Sequence, residues 1–333
     1  MNPFMNPIIG SETRIFDPLD AATGLTGGGE LLDSSVVRRG DRWWMFLAGQ
    51  AAGYGPPEIF SAALPEHAAL SPGGWTPTRT AAGELAALAG RNRSSGWDGN
   101  GGRHCPSYVK GWDPRGGKWA ERIYYAGAAE NLWGPYTIGF LEWDGSEWQD
   151  QTEPAFAANE DWEHGSVYEP NLIYHEGTWK MWYVAGSNQD NYLVHGYAES
   201  EDGRSGWSKH TIFAPPEMKV FDFCVRERAG GFDAIFARVW VAEGAPPAET
   251  GLWWCRAERP SSVLSEWSTA VQIMTAEDRG WHSGPWKPSF QFDEQNRDRA
   301  FVFFDGMRRT GGPGPFPFAF TLGCLEVNLP ISS

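Results

Sequence analysis

Five segments of the chain repeat one pattern: a short apolar strand, a polar turn, then an aromatic-rich strand. The clearest copy starts at Glu169-Pro170-Asn171-Leu172-Ile173, turns at His175-Glu176-Gly177 and continues through Trp179-Lys180-Met181-Trp182-Tyr183-Val184. The others start at Asp33-Ser34-Ser35-Val36-Val37, Cys105-Pro106-Ser107-Tyr108-Val109, Asp222-Phe223-Cys224-Val225 and Lys287-Pro288-Ser289-Phe290. Units beginning near 33, 105, 169, 222 and 287 lie 53 to 72 residues apart, room for about four strands of 5–6 residues each with their turns. Third strands are expected near 136–142, 193–199, 252–257 and 318–327, and a tryptophan closes four of the units, at Trp75, Trp148, Trp207 and Trp267.

Radial repetition of four-stranded sheets is the plan of a β-propeller. A β-sandwich, the competing all-β arrangement, has no need of so regular a terminal tryptophan. The chain therefore reads as all-β, a five-bladed β-propeller with an axial active-site pocket, forming a single domain over 1–333. The fifth unit stops after its third strand near Val327, which leaves an edge to cover. Residues 13–16 are expected to close the ring by pairing with the strand around 318–325.

Composition fits this plan. Nineteen Trp within 14% aromatic residues favour strands, and 41 Gly with 24 Pro supply turns. A net charge of −15 and the lack of any basic run exclude a polyanion-binding surface, so nucleic acid is not an expected partner. The opening MNPFMNPIIG lacks the features of a secretory signal, and no stretch has the length of a membrane span. A cytoplasmic protein without a membrane partner is the expectation. Cys105, Cys224, Cys255 and Cys324 form no CxxC pair and read as reduced thiols. The sequence does not specify an oligomeric state.

In a propeller the first strand of each blade lines the channel, so Asp33, Cys105, Glu169, Asp222 and Lys287 should converge at one mouth. Like charges in such a funnel push carboxyl pKa values upward, as acid catalysis at neutral pH requires. Pro170 is expected to hold Glu169 extended. Asp222, between Phe221 and Phe223, is left open as buried or exposed. Adjacent strand residues face opposite ways, which separates His104 from Cys105 and favours a buried thiol over a nucleophile.

Asp33-Ser34 and Glu169-Pro170, each an acidic residue before a small residue or proline, resemble the first-strand motifs of five-bladed glycoside hydrolases, especially families 43 and 32. The resemblance implies a general base at Asp33 and a general acid at Glu169. The family's second blade carries a carboxylate that tunes the acid. Cys105 stands at that place here, so the triad is incomplete, and His104 or Asp222 is the candidate replacement.

Loop tryptophans Trp97, Trp162, Trp281 and Trp286 are candidate platforms for a sugar or aromatic ring, with His164, His282 and Lys287 as polar contacts. Trp44 and Trp182, within strands, read as packing residues. No histidine pair has metal-ligand spacing, so no cofactor is expected, although an axial ion held by histidines of different blades stays open. The loop 90–102 reads as mouth-covering, and Gly27-Gly28-Gly29 lacks the context of a phosphate loop.

Three functions remain open. The leading one is hydrolysis of a glycoside or small oligosaccharide by carboxylate acid/base chemistry. The others are a non-hydrolytic lyase, isomerase or cyclase acting on a small metabolite, and a non-catalytic sugar-binding propeller. The blade starts differ chemically, which favours one unique axial site over equivalent sites on several blades.

Overall fold

A computed structural model describes residues 6–18, 30–50, 55–89, 96–187, 192–228, 230–238, 248–308 and 319–330. The Gly27–Gly29 run and residues 90–95 of the loop 90–102 lie outside them. The chain forms five four-stranded antiparallel sheets, and the fold is a five-bladed β-propeller. The inner strands are Glu30–Arg39, Gly102–Asp113, Val167–His175, Val220–Arg228 and Pro285–Phe292, one per blade. Each is followed outward by the next strands in sequence, so almost every contact within a blade is a local hairpin.

Turn chemistry makes the hairpins. In blade three His175 pairs with Thr178, and the two residues between them, Glu176 and Gly177, have φ of 49° and 82°. Two successive positive φ values match the right-handed twist of the flanking strands, and glycine takes the second at little cost.

Blade five is completed from the other end of the chain. Strand Ile8–Phe16 pairs antiparallel with Ala319–Asn328, with Thr13 opposite Cys324 and Phe16 opposite Leu322. This covers the edge of the last strand, and Phe16 is buried in the core of blades five and one.

Sheets radiating from an axis diverge outward, so large side chains are needed to fill the gaps between them. The terminal tryptophans do this. Trp75 meets Phe303 of blade five at 5.8 Å, Trp148 meets Phe46 of blade one at 5.5 Å, and Trp207 meets Tyr124 of blade two at 6.3 Å. Trp267 meets Trp182 of blade three at 6.3 Å. Each therefore wedges its own blade against the preceding one, and burying such a ring is worth roughly 1.5–3 kcal/mol.

Near the axis, polar side chains take over the task. Ser35 Oγ accepts the Tyr108 N–H at 3.0 Å, Ser107 Oγ the Leu172 N–H at 3.1 Å, and Asn171 Oδ1 the Val225 N–H at 3.0 Å. Arg226 Nε donates to the Phe290 carbonyl at 3.2 Å, and Ser289 and Ser34 share a hydroxyl bond at 2.9 Å. These contacts pass from each blade to the next and fix the inner strands around the channel.

Candidate active site

All five blade-start residues share one unusual backbone conformation. Asp33, Cys105, Glu169, Asp222 and Lys287 have φ of 52°, 57°, 52°, 57° and 44°. In each inner strand the pairing register shifts at that residue, between Leu32 and Ser35, His104 and Ser107, Tyr168 and Asn171, Phe221 and Phe223, and Trp286 and Ser289. Each blade thus opens on a β-bulge whose first residue is left-handed, a conformation costing a non-glycine residue about 1–3 kcal/mol. A proline follows in Cys105-Pro106, Glu169-Pro170 and Lys287-Pro288, where its missing N–H suits an interrupted ladder.

The bulges correct two expectations. Glu169 is not extended, because the bulge overrides the bias imposed by Pro170. His104 and Cys105 both line the same cavity, because the extra residue breaks strand alternation. For Asp222 the bulge settles what alternation left open. It is buried, as are Phe221 and Phe223 on either side.

At the axis, Lys287 Nζ donates to Glu169 Oε2 and lies 3.2 Å from Asp222 Oδ1, all three side chains being buried. The Lys287–Asp222 contact lacks hydrogen-bond geometry, and both Asp222 carboxyl oxygens are buried without a hydrogen-bond partner among the described residues. On the side of blade one, Asp33 Oδ2 accepts the Cys105 N–H at 3.1 Å. The Asp33 N–H donates to Asp305 Oδ2 at 2.9 Å.

One lysine cannot neutralise this many carboxyls, and the groups separate accordingly. Burial works against the Glu169 anion, but the charge of Lys287, with smaller help from neighbouring Asp222 and Cys105, overcomes it and holds Glu169 below the usual carboxylate range. Burial and then the Glu169 charge raise Asp33. Asp222 is raised well above the usual range by the same two causes, and Asp305 by burial and Asp33. Glu30 is pushed up to about 7, mainly by burial, against a stabilising bond from the Phe320 N–H. Burial also raises the Cys105 thiol, which stays protonated beside Asp33 and Glu169. Within the ring the environment therefore favours the ionised form of Glu169, which Lys287 pairs, and the protonated forms of its carboxyl neighbours.

Above this floor opens a cavity of about 320 Å³. Its polar base includes Glu30, Asp33, His104, Cys105, Glu169 and Asp305, and Tyr136, Tyr168, Phe221, Trp286, Phe320 and Trp133 supply aromatic walls. Such volume and lining suit a small ligand with a ring and hydroxyl groups. His104 bonds the Gly101 carbonyl at 2.9 Å and meets the Tyr136 ring edge-on at 5.6 Å. Among the described residues no group of three or more His, Cys, Asp or Glu is placed to hold a metal ion.

Other candidates from the sequence are not among the residues lining this cavity. Trp97 lies flat on Tyr125 at 5.3 Å, over Gly127 and Gly139, where a Cβ would come within 2.4 Å of its ring. It is a packing residue of blade two. Trp162 leans on Tyr183 at 6.2 Å, and His164 is exposed at the end of a short 3₁₀ turn. His282 is buried, with Nε2 3.0 Å from Glu12 of the ring-closing strand. Residues that sequence reasoning missed include Glu30, Trp133, Tyr136, Tyr168 and Asp305.

No family model matches the sequence, and no curated protein matches it. Among solved structures, a family 117 glycoside hydrolase produced by the marine bacterium Zobellia galactanivorans is similar at 12% identity and a TM-score of 0.65, over 100% of this chain and 93% of that one. A thermostable family-43 glycoside hydrolase is similar at 15% identity and a TM-score of 0.60, over 92% of this chain and 95% of that one. The catalytic domain of a family 62 α-L-arabinofuranosidase from Coprinopsis cinerea matches at 12% identity and a TM-score of 0.59, over 98% of each chain. What these structures share with this chain is the five-bladed β-propeller fold. Within that propeller Cys105 opens blade two, and Lys287 of blade five is paired with the blade-three Glu169. No helix among the described residues is long and apolar enough to cross a membrane.

Proposed function

We propose that the axial cavity binds an uncharged glycoside or small oligosaccharide and hydrolyses its glycosidic bond. The observation that carries this reading is that Asp33 and Glu169, on one cavity floor, are driven in opposite directions. Lys287 keeps Glu169 ionised, whereas no Lys or Arg among the described residues pairs with Asp33, which is raised by burial and by Glu169. Paired carboxyls with separated proton affinities are what acid/base hydrolysis of a glycoside uses.

The charges reverse the roles implied by resemblance. Asp33 gives its proton to the leaving glycosidic oxygen as the bond to the anomeric carbon breaks. Glu169 takes a proton from the water whose oxygen bonds that carbon. The reaction leaves Asp33 ionised and Glu169 protonated, and exchange with solvent restores both. Asp222 and Lys287 orient the Glu169 carboxylate, and His104, Trp286 and the tyrosines contact the sugar. An acidic floor whose lysine is already paired disfavours phosphorylated or uronic substrates.

A second reading, a lyase or isomerase, is favoured by Cys105, which removes the third carboxylate, and by the Lys287–Glu169 pair, which can take a proton without water. Neutral aryl glycosides and oligosaccharides turned over in ¹⁸O-water separate the two. Hydrolysis puts one ¹⁸O on the anomeric carbon of the released sugar and none on the aglycone, and a lyase or isomerase puts in none during turnover.

A further inference from the structure

Asp305 belongs to the second strand of blade five, Arg299–Arg308, at the end of an otherwise apolar run, Ala300-Phe301-Val302-Phe303-Phe304. Its side chain is buried and lines the axial cavity. A carboxyl at such a place is costly unless it is neutral or paired. Asp305 Oδ2 accepts the Asp33 N–H at 2.9 Å, and Oδ1 is buried without a hydrogen-bond partner among the described residues. Asp33 in turn spends Oδ2 on the Cys105 N–H at 3.1 Å.

Two buried carboxyls therefore adjoin with no cation of their own. Lys287, the lysine of the floor, contacts Glu169 and Asp222. The titratable groups facing the pair are Glu30 from blade one, His104, Cys105 and Tyr136 from blade two, Glu169 from blade three, Asp222 from blade four and Lys287 from blade five. All of these except His104 and Lys287 are carboxyl, thiol or phenol groups that oppose further negative charge. Like charges at this proximity cannot both ionise, and a proton held between the two oxygens satisfies the otherwise unpartnered Oδ1.

We propose that Asp33 and Asp305 form a carboxyl dyad that holds one proton beside the axial cavity, with Asp305 as the positioning residue that keeps Asp33 a proton donor. The dyad takes over, from blade five, the tuning task for which blade two has Cys105 in place of a carboxylate. It also pins the left-handed backbone of Asp33, since the same carboxyl that shares the proton receives the Asp33 N–H. The inference rests on the proposed hydrolysis for its purpose but not for its test.

The test is a ¹³C NMR titration of the full chain labelled at the aspartate carboxyls, with signals assigned by Asp33→Asn, Asp305→Asn and Asp222→Asn. One proton retained by the wild-type pair near pH 7 is the expected result. In Asp305→Asn the affinity of Asp33 for its proton should fall about tenfold or more, because a like-charged neighbour has become an amide donor. Wild-type protein with both carboxyls ionised near pH 7 overturns the proposal, whether or not the variants fold. So does a folded Asp305→Asn in which Asp33 titrates as in wild type. A shared proton in a protein that cleaves no glycoside supports the dyad and removes the proposed function instead.

Discussion

Lys287 on blade five donates its ammonium to the Glu169 carboxylate on blade three, directly across the propeller axis. The pair ties opposite sides of the ring together and decides which carboxyl of the site is ionised. Truncating one partner of a buried ion pair leaves the other charge uncompensated. Lys287→Met is expected to destabilise the fold by about 3–5 kcal/mol and to raise the Glu169 proton affinity. Denaturant unfolding measures the first effect, and a shift of the Glu169-dependent acid-side limb of a pH–rate profile to higher pH measures the second.

Glu30 gives the fold a defined pH dependence. Its carboxyl rises from 4.5 in the unfolded chain to about 7 in the folded one, so the native state binds the extra proton between those values. Stability is therefore lost as pH rises through that window, by up to about 3 kcal/mol from this group. Glu169, held low, contributes in the opposite sense, its stabilisation disappearing only as pH falls through its lowered folded value. Melting temperatures from pH 5 to about pH 8 should decline in wild type and decline less steeply in Glu30→Gln, where Asp33, Asp222 and Asp305, raised in the same sense, keep part of the slope.

Trp267 wedges blade four against Trp182 and Phe223 of blades three and four, at 6.3 and 5.1 Å. Trp267→Ala is expected to cost about 3–5 kcal/mol, while substrate affinity in the surviving folded fraction is unchanged. Calorimetry and a binding isotherm on the same sample check the pair of outcomes.

Trp133 stands half exposed at the cavity rim, with its backbone N–H bonded to Asn131 Oδ1 at 2.9 Å. Trp133→Ala should weaken binding of an oligosaccharide by a few-fold to tenfold, the loss of about 0.5–1.5 kcal/mol of ring stacking, with stability within about 0.5 kcal/mol of wild type. Calorimetric titration against a panel of neutral oligosaccharides reads it.

The repeat made the architecture legible because propeller blades are local hairpins, and local pattern is what sequence records best. Asp33, Cys105, Glu169, Asp222 and Lys287 converge as their equivalent positions require. Their left-handed bulges were less legible, although proline after Cys105, Glu169 and Lys287 is a signal for an interrupted strand. Trp97 and His282 misled for one reason: a residue just ahead of an inner strand can pack down into its own blade instead of over the channel. Glycines 127 and 139 leave the space that Trp97 fills, and Glu12 from the far end of the chain holds His282. Asp305 lies in a second strand, where equivalence between blade starts gives no guidance. The clue was a single carboxyl at the end of five apolar residues.

The central claim is that Glu169, ionised by Lys287, works against a protonated Asp33 in the axial cavity. Turnover of neutral aryl glycosides by wild type, Glu169→Gln and Asp33→Asn, each shown to be folded, tests it most directly. The account predicts hydrolysis by wild type and a fall of about 10²–10⁴ in kcat for each variant, Glu169→Gln losing the acid-side limb of the pH profile and Asp33→Asn the alkaline-side limb. Undiminished turnover by folded Glu169→Gln would contradict it.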